Sequence, residues 1–171
     1  MEKENSSMKK DNYIVEFLIL QKSYFCVWHS DDKDVFWAEN SQIQYFENPA
    51  EAEKLCKKNG AAVQSDDIAK YNVDKLKDAL EQDLSEIDCN FFIDFWNIMS
   101  DAAYSVDEVF YGDSKELNSI YQKMFYGLNL PSINKSGKRY TPIFSEDEQT
   151  EIVKVFKEGI RILEKQFRLK I

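Results

Sequence analysis

The chain has 171 residues, of which 43% are hydrophobic, 31% charged and 14% aromatic, and its formal net charge is −9. This length and composition suit one globular domain. No apolar run approaches the ~20 residues that cross a bilayer, and the acidic excess opposes nucleic-acid binding, which requires Lys and Arg against phosphates. Only 5 Gly and 3 Pro occur, so a compact, helix-rich domain is expected.

The first eleven residues are polar and lack the apolar core of a signal peptide. We expect a disordered tail over residues 1–11 and a single domain over residues 12–171. Tyr13–Leu20 reads YIVEFLIL, apolar on both faces apart from Glu16, which is typical of a central strand. Further strands are predicted at Tyr24–Trp28, Val35–Trp37 and Gln42–Phe46. The short polar turns between them favour an antiparallel meander.

Helical signals follow. Asn48 can cap a helix in which Pro49 takes the first position and Glu51 the third, and Asn59-Gly60 provides its end. Ala61–Gln64 is predicted as a short strand, and the chain after it as helical. Four later signals predict helices. An apolar spacing typical of a helix occurs at Val73, Leu76, Leu80, Leu84 and Ile87, and an apolar stretch runs from Asn90 to Val106. Ser114 can cap a third helix, and Ser145 with Glu148 forms a capping box that begins the last one.

The predicted fold is therefore α+β. A small N-terminal antiparallel β-sheet packs against a helix-rich C-terminal two-thirds, and Gly127–Thr141 is an irregular connector before the last helix. Phe95, Trp96, Phe156 and Ile160 fall at the helical spacing that faces a core, so we expect them to be buried.

Residues that usually perform chemistry are few. His29 is the only histidine and lies in a predicted loop. The three cysteines, Cys26, Cys56 and Cys89, form no C-x-x-C, which argues against a zinc site and favours unbridged thiols in a reducing cytoplasm. No nucleophile elbow, P-loop or dinucleotide motif occurs. The acidic loop Asp31–Asp34 lacks the glycine and the distal glutamate of a calcium loop. We predict no enzyme, no cofactor and no metal.

Acidic residues are concentrated in one segment. From Asp78 to Ser114 there are ten acids and no base, so this segment contributes −10 and the rest of the chain sums to +1. Such a field attracts partners of opposite sign. The predicted partner-binding residues are Asp78, Glu81, Asp83, Glu86, Asp88, Asp94, Asn97, Asp101 and Glu108. The loop that holds Asp31, Asp32 and Asp34 is the alternative surface.

Asp94 and Asp101 are seven residues apart and share one helix face with Asn97. Three interpretations of this polar line remain open. It can face water, it can be a recognition line within the acidic segment, or its two carboxylates can support metal-assisted hydrolysis.

Several stretches together resemble a known family. They are N-P-A-E-A-E-K at Asn48–Lys54, W-N-x-x-x-D at Trp96–Asp101, Y-x-K-x-F-x-G-x-N-L-P at Tyr121–Pro131, Y-T-P at Tyr140–Pro142 and E-G-I at Glu158–Ile160. With the N-terminal meander, they are similar to immunity proteins of bacterial contact-dependent growth inhibition systems. The resemblance covers most of the chain after the tail.

The resemblance implies a small cytoplasmic protein that binds and neutralises a toxin domain delivered by a neighbouring cell, often a nuclease. That family has no single binding surface, so it assigns no site residues here. The expected partner is a basic toxin domain, with neither nucleic acid nor membrane as a partner. The alternatives are a metal-assisted hydrolase using Asp94 and Asp101, and an adaptor without catalysis.

Overall fold

A computed structural model describes residues 11–169, apart from the side chains of Ser65 and Asp66. The expected tail over residues 1–11 lies outside this range except for Asp11, which begins the first strand. The strands are β1 Asp11–Ile19, β2 Lys22–Ser30, β3 Val35–Phe36, β4 Ala38–Glu39, β5 Gln42–Ile43, β6 Tyr45–Phe46 and β7 Val63–Asn72. The helices are α1 Pro49–Lys58, α2 Val73–Leu80, α3 Cys89–Ser105, α4 Asn118–Tyr126 and α5 Glu146–Gln166. The predicted α+β class is confirmed.

β1 lies inside the main sheet, as its apolar sequence predicts. The strand order is β3-β2-β1-β7, β6 also pairs with β2, and β4 and β5 form a separate hairpin. The antiparallel prediction holds for β1, β2, β3 and β6, whereas β7 pairs with β1 in parallel. The sheet is mixed because α1 connects the β6 end of the meander to β7 as a crossover, and a parallel neighbour requires such a connection.

β7 is longer than the strand predicted at Ala61–Gln64, and the helix expected directly after that segment begins only at Val73. β7 is the edge strand, and Asp67, Ile68, Ala69 and Lys70 are all exposed. Residues 64–70 read QSDDIAK and show no apolar alternation, so this part of the sequence gives no strand signal. The pairing with β1 is irregular: β1 advances from Tyr13 to Val15 while β7 advances from Gln64 to Ala69.

The turn between β1 and β2 has an unusual backbone. Leu20 and Gln21 have positive φ angles of 52° and 59°, a conformation that disfavours residues with a Cβ. Both backbone N–H groups donate to the carboxylate of Asp74 in α2, at 2.7 and 2.8 Å. Asp74 therefore holds the β1–β2 turn against the first turn of α2.

Two helices begin where the capping residues in the sequence predict. Asn48 caps α1, and Ser145 and Glu148 form the complete capping box of α5. The prediction that Leu84 and Ile87 continue a helix is wrong, because α2 ends at Leu80. Two local bonds compete with that continuation: Asp83 accepts from the N–H of Ser85 at 2.9 Å, and Asp88 caps α3. Ser114 precedes a short 3₁₀ turn, Lys115–Leu117, and its side chain makes no cap.

The sheet is covered on both faces. Val15, Phe17 and Ile19 of β1 join the large core that includes α2, α3 and α5, while Ile14 packs with Val27, Ala52 and Cys56 under α1. The predicted core residues Phe95, Trp96, Phe156 and Ile160 are all buried. Within residues 11–169, no helix is both long and apolar enough to cross a membrane.

Candidate functional site

The polar line of α3 lies beside β7. Nine residues of α3 are buried, which leaves Asp94 and Asn97 exposed and Asp101 half-buried. Burial, with the nearby carboxylates of Asp94 and Asp101, raises the pKa of Tyr71 in β7 to about 12. Both carboxylates therefore act on one phenol, which places them on the same side of α3, as their seven-residue spacing predicts.

Asp101 is the most perturbed carboxyl of this line. Burial raises its pKa from 3.8 to about 6. The indole of Trp28 opposes this shift by donating to Oδ2 at 3.1 Å, and the charge of Lys33 also opposes it. The negative charges of Asp34 and Asp113 raise the pKa of Asp101 further. The Asp31–Asp34 loop and α3, which the sequence offers as alternative surfaces, are thus neighbours.

We name Asp88, Asp94, Asp101, Asp113 and Asp34 the acidic stripe. Burial and the charge of Asp88 raise the pKa of Asp94, so the stripe runs from the first turn of α3 toward its end. Asp113 lies beside α3 and accepts from Ser100 Oγ at 2.7 Å. The carboxylates of the stripe therefore act on one another in two groups, Asp88 on Asp94 and Asp34 and Asp113 on Asp101, and Asp101 is partly withdrawn from water.

The other predicted partner-binding residues are more dispersed. Asp78, Glu81, Asp83 and Glu86 are exposed at the end of α2 and in the linker before α3. Asn97 accepts from the hydroxyl of Tyr121 at 2.8 Å, which ties it to α4. Glu108 forms ion pairs with two cations of α5, Lys165 and, at 3.5 Å, Arg161. Its charge is compensated by residues distant in sequence, which a count over residues 78–114 misses.

Aromatic side chains accompany the stripe, although none of them is among the site residues predicted from the sequence. The rings of Tyr13 and Trp28 lie 5.7 Å apart on the sheet face beside Asp101. Tyr104, at the end of α3, is 55% exposed and holds Lys33 Nζ 4.6 Å from its ring centre. Val109 is 88% exposed. The sequence spacing does indicate that Tyr104 lies near the stripe, because Tyr104 follows Asp101 by three residues and therefore shares its helix face.

His29 lies in β2 rather than in a loop, so that prediction is wrong. Its Nδ1 is 2.8 Å from Oδ1 of the buried Asn12, whose Nδ2 donates to the carbonyl of Ala62 at 3.1 Å. Because the amide oxygen of Asn12 faces the ring, Nδ1 of His29 is the donor. Nε2 is 3.8 Å from Asp31 Oδ2 and borders a pocket of about 380 Å³. This arrangement gives His29 a structural partner.

Within the described residues, no three His, Cys, Asp or Glu side chains lie close enough to hold a metal ion. The three cysteines are buried and unbridged. What the stripe can do chemically is accept hydrogen bonds and neutralise cations, with aromatic faces nearby for guanidinium groups. No protein-family model, no curated protein and no solved structure matches this chain.

Proposed function

We propose that this chain is a cytoplasmic immunity protein that binds and neutralises the toxin domain of a bacterial contact-dependent growth inhibition system. The observation that carries the proposal is the acidic stripe, with the half-buried Asp101 at its centre. The sequence resemblance to such immunity proteins supports it independently. The proposed toxin domain is basic and, by the same reasoning, a nuclease.

The mechanism follows from charge. A nuclease holds its substrate with Lys and Arg side chains aimed at phosphates. A line of carboxylates offers those side chains an alternative partner, and Arg binds a carboxylate through two parallel hydrogen bonds. The half-buried Asp101 favours stronger pairing than exposed surface charges give. A toxin domain bound in this way cannot reach its nucleic acid.

The direct experiment reverses three exposed acids, Asp78→Lys, Glu81→Lys and Glu86→Lys, in one variant. The probe is a purified basic nuclease toxin domain of a contact-dependent growth inhibition system against which this chain protects cells, and the readout is the association rate constant. We expect a decrease of at least about tenfold at low salt, within the range that electrostatic steering spans. The difference should shrink as salt rises, since charges are screened within ~3 Å at 1 M.

The matched control carries the same change in net charge on the other side of the sheet. Glu39, Glu47 and Glu51 are exposed on β4 and around the start of α1. Their reversal to Lys should leave the rate nearly unchanged. Equal effects of the two triple variants would attribute the rate to net charge and remove Asp78, Glu81 and Glu86, the acids that flank the stripe, from the proposed surface.

One observation favours a second candidate. A carboxyl with a pKa of about 6 beside another carboxylate can act as an acid or base near neutral pH. The hydrolase alternative, with Asp94 and Asp101 as ligands or acid and base, requires a stoichiometric divalent metal in the purified protein. Metal analysis therefore separates the two functions: a metal-free chain that still protects cells excludes the hydrolase.

A further inference from the structure

The segment between α4 and α5 holds an unusual concentration of exposed apolar side chains. Of the nine large hydrophobic residues that are exposed within the described part of the chain, five lie between residues 126 and 143. They are Tyr126, Leu130, Ile133, Tyr140 and Ile143, exposed by 52%, 39%, 38%, 43% and 55%. Clusters of this kind, rimmed by polar residues, mark protein–protein contacts.

This segment has a fixed shape. The amide of Asn129 donates to the carbonyl of Tyr140 at 2.9 Å and accepts from the backbone N–H of Tyr140 at 2.7 Å. Asn134 donates to the carbonyl of Lys138 at 2.7 Å and to Asn129 at 2.9 Å. These bonds close the connector around a groove of about 490 Å³. The exposed side chains are therefore presented in a pre-organised arrangement, which reduces the entropy lost on association.

The charged side chains of the connector are all positive. From Gly127 to Ile143 there is no acid, and there are three bases, Lys135, Lys138 and Arg139. Within residues 11–169, none of the three forms an ion pair. The linker from Glu81 to Asp88 has the opposite composition, with four acids and no base.

The two oppositely charged segments are neighbours. The N–H of Phe144 donates to the carbonyl of Ser85 at 2.8 Å, which joins the end of the connector to the linker. Burial raises the pKa of the Cys89 thiol; Asp88 adds to the rise and Arg139 opposes it. Asp88 and Arg139 therefore both lie close to one thiol, at the junction of the two segments.

We propose that this surface, the connector face (Leu130, Ile133, Arg139, Tyr140, Ile143 and the acids of the linker), binds a second copy of the chain in a two-fold symmetric dimer. A two-fold axis places the same surface on both sides of the contact. The basic connector of one copy then meets the acidic linker of the other, twice, around an apolar centre. An apolar centre within a charged rim is the usual anatomy of an interface.

Charge complementarity selects this occupant. The surface carries both signs on neighbouring segments, together with the exposed apolar residues of the connector, so its own two-fold image is complementary to it. A uniformly basic or acidic partner would match one half and be repelled by the other. The linker acids also belong to the surface proposed for the toxin or flank it. The dimer is measured on the purified chain with no toxin present, so failure of the dimer proposal is distinguishable from failure of the toxin proposal.

Sedimentation equilibrium of the full chain tests the proposal over a concentration range from about 1 µM to about 1 mM. The expected result is a reversible monomer–dimer equilibrium. The double variant Ile133→Ser with Tyr140→Ser should weaken the dimer at least about tenfold, equivalent to about 1.4 kcal/mol. Val109→Ser is the matched control, because Val109 is 88% exposed at the end of α3 and outside the connector face; it should leave the dimer unchanged.

A charge exchange gives the sharper test. Arg139→Glu and Glu86→Arg should each weaken the dimer, and the chain that carries both changes should recover it. Circular dichroism confirms that each variant is folded, which is expected because both positions are exposed. A chain that stays monomeric over the whole range overturns the proposal. A dimer insensitive to all these changes also overturns it, and altered toxin affinity of a monomeric connector variant would assign the face to the toxin instead.

Discussion

Trp28 Nε1 donates a hydrogen bond to Asp101 Oδ2 at 3.1 Å, and this contact joins strand β2 to helix α3 across the edge of the core. It holds the one strongly perturbed carboxyl of the acidic stripe in a fixed position. The charge of Asp34 in the loop after β2 also acts on this carboxyl, so the sheet, the helix and the loop of the candidate surface meet at Asp101.

Asp101→Asn should change how stability depends on pH. In the folded chain the pKa of Asp101 is about 6, against an ordinary value of 3.8. Between these values the folded state binds more protons than the unfolded state, so this group lowers stability as pH rises from about 4 to about 6. Asn keeps the acceptor for Trp28 but cannot ionise. Relative to the native chain, the variant should therefore gain stability as pH rises through that window.

Urea denaturation at pH 4.5 and at pH 7.5 measures this effect as the difference between variant and native free energies of unfolding. Asp94 is the matched comparison. Partial desolvation and the charge of Asp88 also raise the pKa of Asp94. Asp94 is more exposed than Asp101, so Asp94→Asn should have a smaller effect of the same sign. A pH dependence identical in the Asp101 variant and the native chain would contradict the assignment.

Trp96→Ala should destabilise the chain strongly. Trp96 is 3% exposed, its rings contact Tyr121 and Phe156, and its Nε1 donates to the carbonyl of Gly112 at 3.2 Å. Truncation of a buried aromatic residue typically costs ~3–5 kcal/mol of a domain's ~5–15 kcal/mol. Thermal unfolding should show a clear decrease in Tm. An unchanged Tm would mean that Trp96 contributes little to the core.

His29→Ala should preserve protection against the toxin while reducing stability. Removing the imidazole leaves Oδ1 of the buried Asn12 without its donor, and an unsatisfied buried acceptor costs about 1–3 kcal/mol. His29→Asn supplies an amide donor in a similar place and should restore part of the loss. The measurements are Tm and survival of toxin-expressing cells. Loss of protection in a folded Ala variant would indicate a functional histidine.

Asp74→Ala should loosen the β1–β2 turn. It removes the acceptor of the Leu20 and Gln21 N–H groups, both in a solvent-exposed position, so the expected loss is about 1–2 kcal/mol. Leu20→Asn should act in the opposite direction. Asn tolerates φ near 52° better than Leu, and Leu20 is 62% exposed, so little burial is lost. Chemical denaturation should show a lower free energy of unfolding for Asp74→Ala and a higher one for Leu20→Asn than for the native chain.

Much of the fold could be predicted where local signals are strong. α1 was predicted from Pro49 to Lys58, and α5 from the capping box at Ser145, because caps satisfy backbone groups locally. The extent of β7 and the end of α2 could not be predicted. β7 is defined by its pairing with β1, which is distant in sequence. α2 ends where the local bond from Ser85 to Asp83 and the cap of α3 at Asp88 prevail over the apolar spacing of Leu84 and Ile87.

The candidate site was predictable only in part. The spacing of Asp94 and Asp101 placed them on one face of α3, and the structure agrees. The contact of Asp101 with Trp28 and the ion pairs of Glu108 with α5 join residues more than 50 positions apart. Such pairs depend on tertiary packing, which the one-dimensional charge count does not contain. The resemblance motifs also meet in space, since Tyr121 donates to Asn97.

The irregular pairing of β7 has a consequence for how this chain meets other chains. β7 is an outer strand, and a regular outer strand offers a ladder of unpaired backbone groups that can recruit a strand from another molecule. Between Gln64 and Ala69 the register with β1 shifts, which interrupts that ladder midway. The addition of strands from other molecules to β7 is thereby disfavoured. Contacts with other chains then depend on side chains, which can select one partner over another.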